Sequence, residues 1–388
     1  MTEMVYGTVP VRGGEPVLPK WWRTVDKWSL SCILMLFGTG ILLGLAASVP
    51  LAERNGLTPF HYVQRQAFFG GVAMIAMMLT SMLSPLMVRR LAVIGFIGAF
   101  IALVFLPIFG TDFGKGAVRW YSLGFASVQP SEFLKPMFCI AAAWLMAASQ
   151  ELGGPPGRTY SFALMVAIVL MLAMQPDFGQ ASLVLFGWGV MWFVGGAPMV
   201  LLLGLAGLVV LGGMFAYNSS QHFARRIDGF LSPDIDPNTQ MGYATNAIQE
   251  GGFFGVGVGE GTVKWSLPDA HTDFIIAVAA EEYGLVLVLA IIALYATIVV
   301  RSFVRLMRER DPFIRLGGTG LAAMFGVQAM INMGVAVRLL PAKGMTLPFV
   351  SYGGSSLIAT GIAVGMLLAF TRARPQGEIG DILRGRAR

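Results

Sequence analysis

The chain has 388 residues, of which 56% are hydrophobic and only 12% charged, and its formal net charge is +6. Soluble domains carry about 25% charged residues, so this chain has too little polar surface to face water, and a soluble globular fold is excluded. The basic excess falls mostly at the ends of apolar runs, where it orients a chain in a bilayer, and with no nucleic-acid-binding motif in the sequence, nucleic acid is not an expected partner.

Residues 1–26 contain Glu3, Glu15 and Asp26 but no apolar stretch, which is not the pattern of a secretory signal. The first apolar run, Trp28 to Val49, is long enough to span, since a spanning helix needs about 20 apolar residues. Further runs follow at 67–88, 91–109, 131–148, 160–175, 180–195, 199–217, 274–299, 316–339 and 356–371. Lipid offers a backbone no hydrogen-bond partners, so each run must be helical. The expected fold is therefore an all-α polytopic membrane protein with about ten transmembrane helices. Pro176, Asp177 and Gly179 interrupt the 160–195 region, which reads as two short helices or one broken one. A long extracytoplasmic loop, 218–273, precedes the eighth helix. It is rich in glycine and aromatic residues, and connections longer than about 15 residues are usually functional or disordered.

With the N-terminus inside, 17 of the 27 Lys and Arg residues lie on inner segments. The positive-inside rule then makes both termini cytoplasmic. The expected division is a cytoplasmic segment 1–27, a transmembrane domain 28–371 and a cytoplasmic tail 372–388. Cys32 and Cys139 lie within apolar runs and read as small buried hydrophobes rather than a disulfide or a nucleophile.

Four polar stretches stand out, and all fall on the outer side. The first runs from Gly114 through Lys115, Arg119 and Trp120 to QPSEFLKP at 129–136. Ser131 and Glu132 look like a helix start, with an acid at its positive end. Glu132 and Lys135 are three apart and share a helix face. They form a local ion pair, or else Arg119 and Lys135 present positive charge to an anionic substrate. The second, QPDFG at 175–179, puts Asp177 near membrane depth, either as a functional acid or as the cap of the following helix. The third combines GGFFGVGVGEG at 251–261 with LPDAHTDFIIAVAAEEYG at 267–284. Its glycines have no strand–helix context for a dinucleotide site, and they suit a close backbone approach. Asp273 lies at the mouth of an apolar helix as a reactive carboxylate or as an N-cap, with Asp269 and His271 beside it and Glu281 and Glu282 further in. One His among Asp residues is weak support for a metal site, and no metal ligands are assigned. The fourth runs from Pro341 through Lys343 to PFVSYGGSS at 348–356, and reads as a cavity-lining loop or as tight packing of small residues.

Taken in order, these motifs resemble the SEDS family of bacterial cell-wall polymerases over roughly residues 28–371, more like its division members than its elongation members. The 218–240 loop departs from the family pattern, with Thr239-Gln240 the nearest match to its usual Gly-Tyr-Gln run. The resemblance implies a peptidoglycan glycosyltransferase that polymerises lipid II, an undecaprenyl-diphosphate-linked disaccharide-pentapeptide, at the outer face of the inner membrane. Asp273 matches the family's catalytic aspartate and is the implied base. Arg119, Lys135 and Lys343 are candidates for the diphosphates, with Glu132 orienting Lys135 and Trp120 packing on sugar or lipid. Ser351 and Gly353 complete the substrate-binding candidates. A divalent cation is the one cofactor left open. Implied partners are a class B penicillin-binding protein that crosslinks the strands, divisome proteins and membrane lipids. Two other functions fit the same residues. A lipid II flippase would use Asp177, Glu281 and Glu282 as a polar path, and a scaffold recruiting a transpeptidase would need no chemistry at Asp273.

Overall fold

The computed structural model describes residues 17–112, 118–124, 126–219, 221–232, 237, 239–341 and 344–373. A short helix α1 (Val17–Thr24) leads into α2 (Lys27–Arg54), α3 (His61–Ser81) and α4 (Pro85–Phe109). A two-stranded antiparallel hairpin follows, β1 (Tyr121–Ser122) with β2 (Ser127–Val128), pairing Tyr121 with Val128. Then come α5 (Pro130–Ala148), α6 (Gly157–Met174), α7 (Phe178–Val194), α8 (Met199–Ser219), α9 (Gln221–Leu231) and α10 (Gln240–Gly251). A single 3-10 turn, Val263–Trp265, precedes α11 (Ile275–Leu306), α12 (Pro312–Ala336) and α13 (Gly354–Thr371). Among the described residues, eight helices are long and apolar enough to cross a membrane: α2, α4, α5, α6, α8, α11, α12 and α13, with α7 apolar but shorter.

Local signals set the helix starts. Ser84 accepts a hydrogen bond from the Met87 amide and Pro85 fills the first turn of α4. Asp311 accepts from Phe313 and Ile314 ahead of Pro312 in α12, and Thr239 caps α10. Each satisfies amides that a helix start leaves unpaired. The expected helix 67–88 is therefore two pieces. Its end belongs to α4, because Ser84-Pro85 starts a new helix. Its true start, His61, lies in polar sequence because Gln66 is buried, donating to the carbonyls of Gly40 and Val350.

α5, α12 and α13 are the central helices, most of their residues buried, while α8 is exposed along its length. One apolar core joins α2, α11 and α12 with the loops near Leu267 and Leu347. A second joins α4, α5, α6, α7, α12 and α13 and includes buried Cys139, while Cys32 is buried in the first.

One end of the bundle is closed by an ionic clamp. Asp26, buried just before α2, takes hydrogen bonds from Arg301 at 2.8 and 3.0 Å, from Arg305 at 3.0 Å and from Ser29 at 2.7 Å. Burial pushes its carboxyl up, but the Arg301 and Ser29 hydrogen bonds and both arginine charges outweigh that and hold it below its ordinary value.

The 218–273 connection is largely structured. Its α10 packs along α11, which is not one continuous helix: Gly284 has φ 74° and ψ −172°. Hydrogen bonds from each residue to the fourth before it cannot cross such a residue. The amides of Leu285 and Val286 donate instead to the carbonyls of Gly252 and Phe253, at 3.0 and 3.4 Å. The carbonyls of Glu281 and Glu282 accept from the amides of Val256 and Gly257, at 2.8 and 3.2 Å. The loop thus completes the ladder of the helix that it precedes, and only glycine adopts that backbone readily.

Candidate active site

Arg119, just ahead of the β-hairpin, donates to the carbonyls of Gln175 and Pro176 at 3.1 and 2.7 Å and so caps the end of α6. Gln129 donates from Nε2 to Asp177 Oδ2 at 3.0 Å, and Asp177 caps α7 by accepting from the Gln180 amide. The 160–195 region is therefore two helices. Burial pushes the Asp177 carboxyl above its ordinary value, and Arg119 and the Gln180 amide offset that only in part.

Inward from this cap lies a buried ion pair. Lys135 Nζ is 2.9 Å from Glu132 Oε2, and the two residues are 4% and 6% exposed. Gln180 donates to Glu132 Oε1 at 2.6 Å, and Lys135 donates to Gln328 Oε1 at 3.3 Å. Every charge here is paired and hydrogen-bonded, as burial requires. The pair borders a small cavity lined by Pro136, Phe325, Gln328, Pro348 and residues of α13.

Two side chains of α12, one turn apart, connect this pocket to the rest. Gln328 donates from Nε2 to the Thr346 carbonyl at 3.0 Å. Asn332 donates to the Met345 carbonyl at 2.6 Å and to the Asp273 carbonyl at 3.0 Å. Asp273 is half-buried at the mouth of α11. It is not the N-cap: Phe274 occupies that position and makes no side-chain cap bond. A Cβ on Gly344 would lie 3.5 Å from Asp273 Oδ2, so the loop at 344–346 passes beside the carboxylate. His271 stacks against Tyr62 and Tyr352, closing one side of the mouth, and its carbonyl accepts from the Tyr352 amide at 2.9 Å.

The other sequence candidates are distributed unevenly. Ser351 is buried, accepts from the Leu347 amide at 2.9 Å and donates to the Thr272 carbonyl, which fastens the loop to the mouth. Gly353 stands before α13 with extended backbone. Trp120 bridges to Thr111 at the foot of the β-hairpin. Lys343 and Lys115 lie outside the described residues. Glu281 and Glu282 do not thread the bilayer as a path. Glu281 accepts from the amides of Val263 and Lys264 at 2.7 and 3.1 Å, and Glu282 forms an ion pair with Lys264. Among the described residues, no three His, Cys, Asp or Glu side chains could hold a metal ion.

Sequence reading assigned no role to Gln180, Gln328 or Asn332. The signal was present: Gln328 and Asn332 are four apart in an otherwise apolar run, on one face of one helix.

Comparison with known proteins gives a consistent result. The family model for FtsW, RodA and SpoVE, described as cell cycle proteins, matches residues 27–376. The chain is 41% identical to a Caulobacter vibrioides protein named probable peptidoglycan glycosyltransferase FtsW, over 97% of both chains. It is 37% identical to the Alkalilimnicola ehrlichii protein of the same name, over 89% of both. Among solved structures, one from work on the coordination of polymerization and crosslinking by a peptidoglycan synthase complex aligns with TM-score 0.74 and 30% identity, covering 91% of this chain and 99% of that one. The Thermus thermophilus rod shape determining protein RodA aligns with TM-score 0.65 and 28% identity, covering 92% and 99%.

Proposed function

The chain belongs to the FtsW/RodA/SpoVE family of cell cycle proteins, and we propose that it joins glycan strands where the Asp273 mouth meets the Glu132–Lys135 pocket. It is a multi-span membrane enzyme, a peptidoglycan glycosyltransferase of the FtsW type. The substrate assigned is lipid II, used at the outer face of the inner membrane during cell division. Residues 28–371 are the membrane unit, and 1–27 and 372–388 its cytoplasmic ends.

In the reaction, a sugar hydroxyl attacks the anomeric carbon of a lipid-linked sugar. The new C–O bond forms as the bond to the diphosphate breaks, and the lipid diphosphate leaves with the electron pair. The hydroxyl proton needs a base, and the leaving group needs positive charge. Asp273 is the base: it is a carboxylate at a helix mouth, partly open to solvent, with its main chain fixed by Asn332. Arg119, Lys135 and Lys343 are the cations for the diphosphates, with Glu132 orienting Lys135 and Trp120 packing on sugar or lipid. Ser351 and Gly353 shape the end of the loop that begins near Lys343. Among the described residues no three-ligand set fits a divalent cation; a cation that entered with the substrate would supply further positive charge to the leaving group. A class B penicillin-binding protein is the assigned crosslinking partner, within the division machinery.

One observation carries this reading: Asn332 ties the Asp273 main chain to the loop that follows Lys343, and Gln328, about 6 Å away on the same face, ties that loop to Lys135. The test is polymerisation of labelled lipid II by purified protein. General-base loss typically costs about 10²–10⁴ in rate, so Asp273→Asn folds normally but polymerises slower by that order. A wild-type rate moves the base elsewhere, with Asp269 next. Translocation without polymer by the wild-type protein would favour a flippase.

A further inference from the structure

The loop that completes the α11 ladder has a second property. Its glycines press it against the helix; a Cβ on Gly251 would lie 1.8 Å from the Ala280 carbonyl oxygen. Its large side chains have no place to turn except outward. Phe253 is 70% exposed, Phe254 85% and Val258 69%. Fully burying a side chain such as Phe or Val is worth about 1.5–3 kcal/mol, so this tip is costly to leave in water.

The hydrogen bonds to Leu285 and Val286 fix how deep the tip sits. Arg301, in the clamp with Asp26, is the first charge after the uncharged run 284–300 of α11, so we take it as one boundary of the hydrocarbon. From Arg301 to Gly284 the helix rises about 25 Å at about 1.5 Å per residue. The hydrocarbon layer is about 30 Å thick, so the tip lies about 5 Å inside the opposite boundary. Directly below it, α11 presents exposed Leu285, Val286, Leu289 and Ile292, so the tip crowns a continuous apolar stripe. Above it the chain turns polar at Glu260.

We propose that the 252–258 loop is a bilayer anchor. Phe253, Phe254 and Val258 lie among the acyl chains at the upper edge of the leaflet nearer Asp273, and they hold the break in α11, and with it the Asp273 mouth, at a fixed height. Lipid is the occupant because the tip's depth and its continuity with the α11 stripe both place it at the chain–headgroup boundary, where amphipathic segments bury about 5–10 Å. This rests on the membrane reading and is independent of which residue is the base.

The test is a nitroxide label on Phe254→Cys in the full chain, reconstituted in phosphatidylethanolamine–phosphatidylglycerol bilayers. Cys32 and Cys139 are buried, so the wild-type protein takes up little label. Collision rates with oxygen, which partitions into lipid, and with a water-soluble nickel chelate report depth. The expected oxygen-to-nickel ratio approaches that of a Leu289→Cys control and exceeds that of Glu260→Cys. A nickel-dominated ratio matching Glu260→Cys puts the tip in water and overturns the proposal. Shielding from both reagents means that protein covers the tip, which also overturns it. Val258→Cys serves as a second label site should Phe254→Cys not fold.

Discussion

Lys135 and Glu132 are 2.9 Å apart with almost no exposure to water, and a stabilising pair and a substrate-binding cation would look alike there. Substitution separates them. Removing one member of a buried pair typically costs about 3–5 kcal/mol, whereas replacing both with apolar groups is often neutral. Lys135→Met should therefore lower the thermal midpoint sharply, and Glu132→Leu/Lys135→Met should recover most of it. If Lys135 serves the diphosphate, neither variant polymerises lipid II; normal polymerisation by the double variant would reduce the pair to a structural one. At the opposite end, Asp26 poses a simpler case. Its carboxyl is held below the ordinary 3.8, so its contribution is complete above that value and is lost as pH falls through the lowered one. Asp26→Asn should cost about 2 kcal/mol at neutral pH, the scale of a hydrogen bond to a charged group. The gap to wild type in thermal unfolding should close only in strong acid. A gap that closes between pH 5 and 6 would assign the effect to another group.

Among the elements, α11 carries the most unusual backbone. Gly284→Ala forces a Cβ to within 2.3 Å of the Phe253 carbonyl oxygen, at φ 74°. Sparsely populated backbone conformations of this kind cost about 1–3 kcal/mol before any clash. The variant should lose stability by more than that and speed amide exchange at Val256, Gly257, Leu285 and Val286. Gly213→Ala on exposed α8, where an added Cβ meets nothing within 4 Å, should be neutral or stabilising by up to about 1 kcal/mol. Equal effects of the two would mean that the α11 break is not strained by a side chain. The same helix shows what the sequence could and could not reveal. The apolar run after Asp273 marks a membrane helix from composition alone. Its break is invisible, because Gly284 matters only through residues some thirty positions earlier. Likewise Glu281 and Glu282 look like intramembrane acids until the Val263–Trp265 turn is seen to occupy them. The motifs singled out Asp273, Glu132 and Lys135 as candidates; Gln328 and Asn332 stand four apart in an apolar run, but their use depends on which loop comes to rest against α12.

For the whole molecule, the proposed orientation rests on the charge bias of the loops. With both termini in the cytoplasm, Leu123 in the β-hairpin faces outward and Leu152, between α5 and α6, faces inward; both are exposed. In intact spheroplasts, a membrane-impermeant maleimide should label Leu123→Cys directly and Leu152→Cys only after lysis. The reverse pattern inverts the topology and removes the site from the outer face.

The exchange of hydrogen bonds at Gly284 also constrains the order of assembly. Residues 252–257 are synthesised before α11, and their partners on that helix exist only once it has formed. α11 arriving alone would close its own ladder through Gly284, since lipid tolerates no unpaired backbone group. With residues 252–257 docked, four hydrogen bonds between them and the helix stand where its own ladder is broken. The native backbone of α11 at Gly284 therefore depends on residues 252–257 being in place beside it.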